Sequence, residues 1–136
     1  MAYLGIDFGT KRLGLAVSDE AGALALPLPA ISKTTNADLF ARIQRIAAER
    51  KIQAIVLGIP LHMNGERTLA TRQAENFARK IEERLGLPVY VTDEACTSAE
   101  AEEKLKEAGI PGKRRKKYLD SQAAVEILDS FLRQGA

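Results

Sequence analysis

G-I-D-F-G-T-K-R-L-G-L-A-V-S-D, Gly5 to Asp19, reads as a strand, a tight turn and a second strand. Side chains alternate between the two faces of a strand. Tyr3, Gly5, Asp7 and Gly9 therefore share one face of the first strand, and Leu4, Ile6 and Phe8 the other. In the second strand, Gly14 and Ala16 share a face. Asp7 thus stands on a face cleared of bulk. A carboxylate among apolar residues is costly to bury unless it is paired or meets a cation. Glycines beside it let a metal or a large anionic substrate approach the backbone.

The pattern continues outward from this hairpin over residues 3–8 and 12–18. Gly22 to Ile31 is a third extended segment, and its two prolines fit an edge strand. A helix opens at Asn36 or Asp38, carries the stripe Leu39, Phe40, Ile43, Ile46 and Ala47, and ends near Lys51. Ala54 to Ile59 is a short continuous apolar run, as in a strand buried on both faces. Pro60 to Glu66 is a loop with Asn64-Gly65 as its turn signal. A long helix follows from about Arg67 to Leu85, stopped by Gly86 and Pro88. Val89 to Thr92 is a strand leading into Asp93 and Glu94. Thr97 or Ser98 caps a further helix to Ala108. Pro111-Gly112 breaks the chain before the basic run Lys113, Arg114, Arg115, Lys116 and Lys117, and a last helix runs to about Arg133. The order β-β-β-α-β-α-β-α-α implies a mixed sheet with helices on both faces, an α/β architecture.

At 136 residues the expectation is one domain, 1–136, with a proper core. Its 46% hydrophobic and 28% charged residues are the balance of an ordinary soluble globular protein. No apolar run approaches the roughly 20 residues that span a bilayer. The first strand begins almost at once, leaving no room for a signal peptide. Cys96 is the only cysteine, which excludes an intrachain disulfide and a thiolate metal cluster. The single histidine, His62, argues against a histidine zinc site. A cytoplasmic location is the expectation. A run of +5 inside a chain of net +2 leaves the remainder at −3, so the basic character is local. That distribution suits a polyanionic partner.

Three acidic positions stand out: Asp7, the pair Asp93-Glu94 at a strand end, and Asp120 in the last helix. Position 120 shares a helix face with Ala124, Ile127, Leu128 and Phe131, and Ala123 and Ala124 let that helix pack close. Each acid alone has an ordinary reading. Asp120 could cap its helix or pair with Lys11 or Arg12, and Asp93 and Glu94 could be solvated. Together they form an oxygen-rich set suited to Mg²⁺ or Mn²⁺. Two such ions can activate a water and stabilise a leaving oxygen in phosphodiester cleavage.

Three stretches carry a resemblance that spans essentially the whole chain. Gly5 to Asp19, V-L-G-I-P-L-H-M-N-G from Val56 to Gly65, and L-D-S-Q-A-A-V-E-I-L from Leu119 to Leu128 resemble, in order and spacing, the motifs of the YqgF/RuvX family. The resemblance implies an RNase H-like fold akin to RuvC. It also implies a divalent-metal-dependent nuclease, with Asp7, Glu94 and Asp120 catalytic and metal-binding. It points to RNA, in 5′-end processing of pre-16S rRNA during ribosome biogenesis, or to DNA junctions. Where the family usually reads D-E-R-L-T-T, this chain reads D-E-A-C-T-S, Asp93 to Ser98. Ala95 therefore replaces an arginine, a change that bears on substrate grip rather than on the acids.

Lys11, Arg12 and Lys113 to Lys117 are the candidate substrate-binding cations, with the run expected to be a poorly ordered segment when free. Arg67 and Arg72 could touch phosphate or form an exposed polar face. His62 could touch substrate, though a plain loop residue is the simpler reading. Tyr118 could stack on a base or pack, and Cys96 reads as a small packed side chain. Two rival functions remain at this level. One is a nucleotide-binding phosphotransferase of the sugar-kinase type, whose phosphate hairpin resembles G-I-D-F-G-T. The other is a non-catalytic nucleic-acid-binding module. A resolvase would be a homodimer, whereas an RNA-processing enzyme could be a monomer.

Overall fold

The computed structural model describes residues 1–9, 11–59, 69–93 and 112–134; the side chains of residues 70, 93 and 112–120 lie outside that description. The described elements are β1 (Tyr3–Phe8), β2 (Arg12–Ser18), β3 (Ala25–Ser32), α1 (Asn36–Glu49), β4 (Ala54–Ile59), α2 (Leu69–Leu85), β5 (Val89–Asp93) and α3 (Gly112–Arg133). The five strands form one sheet in the order β3-β2-β1-β4-β5. β2 is antiparallel to both β1 and β3, while β1, β4 and β5 run parallel. The mixed α/β sheet expected from the sequence is therefore present. The expected loop at Pro60–Glu66 and the helix capped by Thr97 or Ser98 lie outside the described residues.

Strand alternation divides the core in two. Leu4, Ile6, Leu13, Leu15, Ile55 and Leu57 face α1 and α2. Tyr3, Ala16, Ala54 and Val56 face Ala124, Ile127 and Leu128 of α3. All six residues of β4 are buried, which is why that strand reads as a continuous apolar run. β3 lies at one edge, and its prolines fit there because an edge strand leaves some N–H positions unpaired.

α1 opens at Asn36, one of the two expected positions, with Thr35 as its cap: the Thr35 hydroxyl accepts from the Asp38 N–H at 3.1 Å. The helix stops at Glu49, near the expected end, and Lys51 beyond it adopts φ 55°. One local expectation needs correction. The basic run Lys113 to Lys117 is not a loose segment ahead of the last helix but its first turns. Lysine and arginine are good helix formers, and nothing in the run breaks the backbone ladder.

α3 lies very close to the sheet. A Cβ added at Gly5 would sit 2.9 Å from Leu128 Cβ and 3.1 Å from the Ala124 carbonyl oxygen. Neither atom can rotate away, so relief requires moving the helix. We expect Gly5→Ala to cost about 1–3 kcal/mol, the usual range for overpacking, read as a lower urea midpoint. An unchanged midpoint would show that α3 rides further from β1. Among the described residues no helix is long and apolar enough to cross a membrane.

Candidate active site

Asp7 lies near the carboxyl end of the central strand. Its register partners are Gly14 on β2 and Gly58 on β4, and Gly58 in turn pairs with Thr92 on β5. Register partners share a sheet face, so the row Gly14–Asp7–Gly58–Thr92 crosses four strands with no side chain on either neighbour of Asp7. Gly9 closes the turn behind it, with its N–H donating to the Asp7 carbonyl at 3.1 Å. A Cβ at Gly9 would lie 2.6 Å from the Arg12 carbonyl oxygen, so only glycine fits this turn. Asp7 is half-buried and takes part in an interaction of its own, while its Oδ1 atom is fully buried and accepts no hydrogen bond.

The same face carries α3. Phe131 meets Tyr3 with ring centroids 5.6 Å apart and Tyr90 at 5.2 Å. Ala124 and Leu128 lie over Gly5. Moving back along α3 therefore moves forward along β1. The turn from Ala124 to position 120 covers about 6 Å of helix, and the step from Gly5 to Asp7 covers about 7 Å of strand. Position 120 thus belongs to the end of the helix that runs toward the Asp7 row.

Ser121 fixes that end, and the sequence reading missed it. It is fully buried; its hydroxyl accepts from the Leu15 N–H at 3.2 Å and donates to the Leu28 carbonyl. These groups border an irregularity in which the β2–β3 register shifts between Leu13 and Leu15. Pro29 stands in the skipped stretch and has no N–H to offer. The signal available in the sequence was a serine beside Asp120, combined with a proline in the expected edge strand.

On β5, Tyr90 and Thr92 belong to the α3 face, as the Tyr90–Phe131 contact shows. Position 93 stands in register with Ile59, in the alternate set of pleat positions. Glu94 lies outside the described residues, as do His62, Arg67, Ala95 and Cys96. Asp120 and the run Lys113 to Lys117 are placed on α3 by their backbone, as is Tyr118. Lys11 and Arg12 are exposed at the start of β2, beside the turn that follows Asp7, and Arg72 is exposed on α2. Among the described residues no three histidine, cysteine, aspartate or glutamate side chains come together.

The family model described as "RuvX: Holliday junction resolvase" matches residues 1–134. A protein of Maridesulfovibrio salexigens named "Putative pre-16S rRNA nuclease" is 47% identical over 132 residues, covering 97% of this chain and 98% of that one. Among solved structures, Thermus thermophilus RuvC in complex with a Holliday junction substrate superposes with TM-score 0.64 at 17% identity, covering 100% of this chain and 96% of that one. Fowlpox virus resolvase with its substrate junction DNA gives TM-score 0.63 at 11% identity and 98% coverage of both chains. At such identities these two establish the fold, that of the RuvC-type, RNase H-like resolvases.

Proposed function

The chain belongs to the RuvX family, and from that membership we propose a divalent-metal-dependent nuclease that hydrolyses phosphodiester bonds in RNA, with 5′-end processing of pre-16S rRNA as its task. The observation that carries the reading is the row Gly14–Asp7–Gly58–Thr92, which sets one carboxylate between two glycines at the carboxyl end of parallel strands. Ligand sites of open α/β sheets occur in this position.

The described residues fit a hard cation. Asp7 brings a buried carboxylate oxygen to a place where neither neighbour has a side chain. Thr92 is on the Asp7 face and position 93 falls in the alternate set, which supports Glu94 rather than Asp93 as the middle ligand. The run of α3 assigns position 120 to the same end. Asp7, Glu94 and Asp120 would hold Mg²⁺ or Mn²⁺, which would supply positive charge to lower the pKa of a water and to stabilise the leaving oxygen. The chain's own contribution would be to hold the carboxylates, with Ser121 pinning α3 to β2 and β3. Lys11, Arg12 and Lys113 to Lys117 would hold the phosphate backbone without regard to sequence. No acid lies in the first turn of α3, so the run adds to the positive helix end rather than offsetting it.

Junction resolution is the second reading, favoured by the description of the family model. It would require a homodimer to cut two strands symmetrically. Incubation with labelled RNA, single-stranded DNA and four-way junctions, each in Mg²⁺, Mn²⁺ or EDTA, separates the readings. RNA cleavage in either metal and none in EDTA is expected. Faster cleavage of junctions than of RNA would favour resolution, and binding without cleavage of any substrate would favour a non-catalytic module.

A further inference from the structure

We infer that a second site, a phosphate-binding pocket on the sheet face opposite Asp7, anchors the nucleic-acid strand away from the point of cleavage. The inference rests on the nucleic-acid reading above and names a contact for it. The pocket has a volume of about 260 Å³ and lies between the end of β1, the start of α1 and the first half of α2. Lys33 and Lys80 contribute two positive charges, and Asn36, Gln73 and Asn76 contribute amide groups. No carboxylate lines it.

The pocket has a rigid floor. Phe8 packs on Phe77 at 5.1 Å between centroids, and Phe77 stacks on Phe40 at 5.3 Å. Lys33 Nζ sits 3.7 Å above the Phe8 ring centre. Its backbone is tied to the start of β2, where the Lys33 N–H donates to the Lys11 carbonyl at 2.9 Å. This cation is therefore positioned rather than waving in solvent. Burial lowers the Lys33 pKa from its usual value, the direction expected where desolvation is not offset by an anion.

The neighbouring groups leave donors rather than acceptors for a ligand. The acid in the first turn of α1, Asp38, is occupied: Arg42 lies 3.1 Å from it and the Thr34 hydroxyl donates to it at 2.5 Å. The Asn76 side-chain oxygen accepts from Arg79 at 2.6 Å, so the amide nitrogen is its remaining polar group. Neither lysine has a carboxylate partner among the described residues. Two cations and amide donors around a small concavity select a compact anion, and a backbone phosphate fits that chemistry. Asp7 and Phe8 are consecutive residues on opposite faces, so a strand crossing the end of β1 passes from one site to the other.

The test is binding of a labelled single-stranded RNA, followed by fluorescence anisotropy across a salt series in EDTA so that no cleavage intervenes. Each phosphate contact contributes about 0.7 to the slope of log K against log salt for single strands. Lys33→Gln with Lys80→Gln should flatten the slope by about 0.7, the loss of one phosphate contact. Lys33→Arg introduced with Lys80→Gln keeps a cation in the pocket and should restore part of that loss. Arg45→Gln, an exposed cation elsewhere on α1, should leave the slope unchanged. Lys80 is exposed on a helix, so Lys80→Gln alone reports on the pocket even if changes at Lys33 disturb folding. An unchanged slope in the double variant, or an equal loss with Arg45→Gln, overturns the pocket whether or not the protein cleaves RNA. A lost slope together with no metal-dependent cleavage supports the pocket and overturns the nuclease reading.

Discussion

Asp7→Asn is expected to reduce metal-dependent cleavage by at least two to three orders of magnitude, the scale on which removal of one key electrostatic group acts. The substitution keeps shape and removes charge. Asp7 sits between two glycines, so neither register neighbour can replace the lost oxygen by a rotamer change. Nucleic-acid binding, which depends on cations elsewhere, should survive. Stability should be unchanged or raised, because in the proposed site the carboxylates would repel one another without a metal. Single-turnover cleavage, anisotropy and a denaturant titration on the same preparation give the three readouts. A variant that cleaves at the wild-type rate removes Asp7 from the chemistry.

The second large effect is expected at Glu94 rather than Asp93. Tyr90 contacts Phe131 on the α3 face, and Thr92 is in register with Gly58 and so with the Asp7 row. Position 93 falls in the other set with Ile59, so the ligand is expected from the residue after it. Glu94→Gln should therefore lose cleavage on the scale of Asp7→Asn, while Asp93→Asn loses several-fold at most. A greater loss at Asp93 would mean that the strand end bulges and reverses the alternation.

The hairpin and the two sheet faces were legible because strand alternation is a short-range signal. The alternation of Leu4 and Ile6 with Tyr3, Gly5 and Asp7 already separates the two cores. The cap of α1 was harder to read. Thr34, Thr35, Asn36 and Asp38 are all capping types, and only the backbone conformation selects Thr35. The state of the basic run was misjudged because charge repulsion was weighed above helix propensity. Ser121 and Lys33 were beyond local reading. The role of Ser121 depends on a register shift in a strand more than 90 residues away. The place of Lys33 depends on the end of β3 being tied to the start of β2, which puts its side chain over Phe8 at the end of β1. The acids themselves were legible as residue types, and Asp7 also by its flanking glycines; that they act together is the proposal, and strand alternation alone could not supply it.

The central claim is that Asp7 holds a divalent cation, and Mn²⁺ uptake followed by electron paramagnetic resonance tests it without relying on activity. Titrated at equal protein concentration, the wild type should remove Mn²⁺ from the free-ion signal in a saturable manner, Mg²⁺ should compete it off, and Asp7→Asn should leave the signal near that of buffer. Equal Mn²⁺ uptake by the wild type and Asp7→Asn would contradict the assignment.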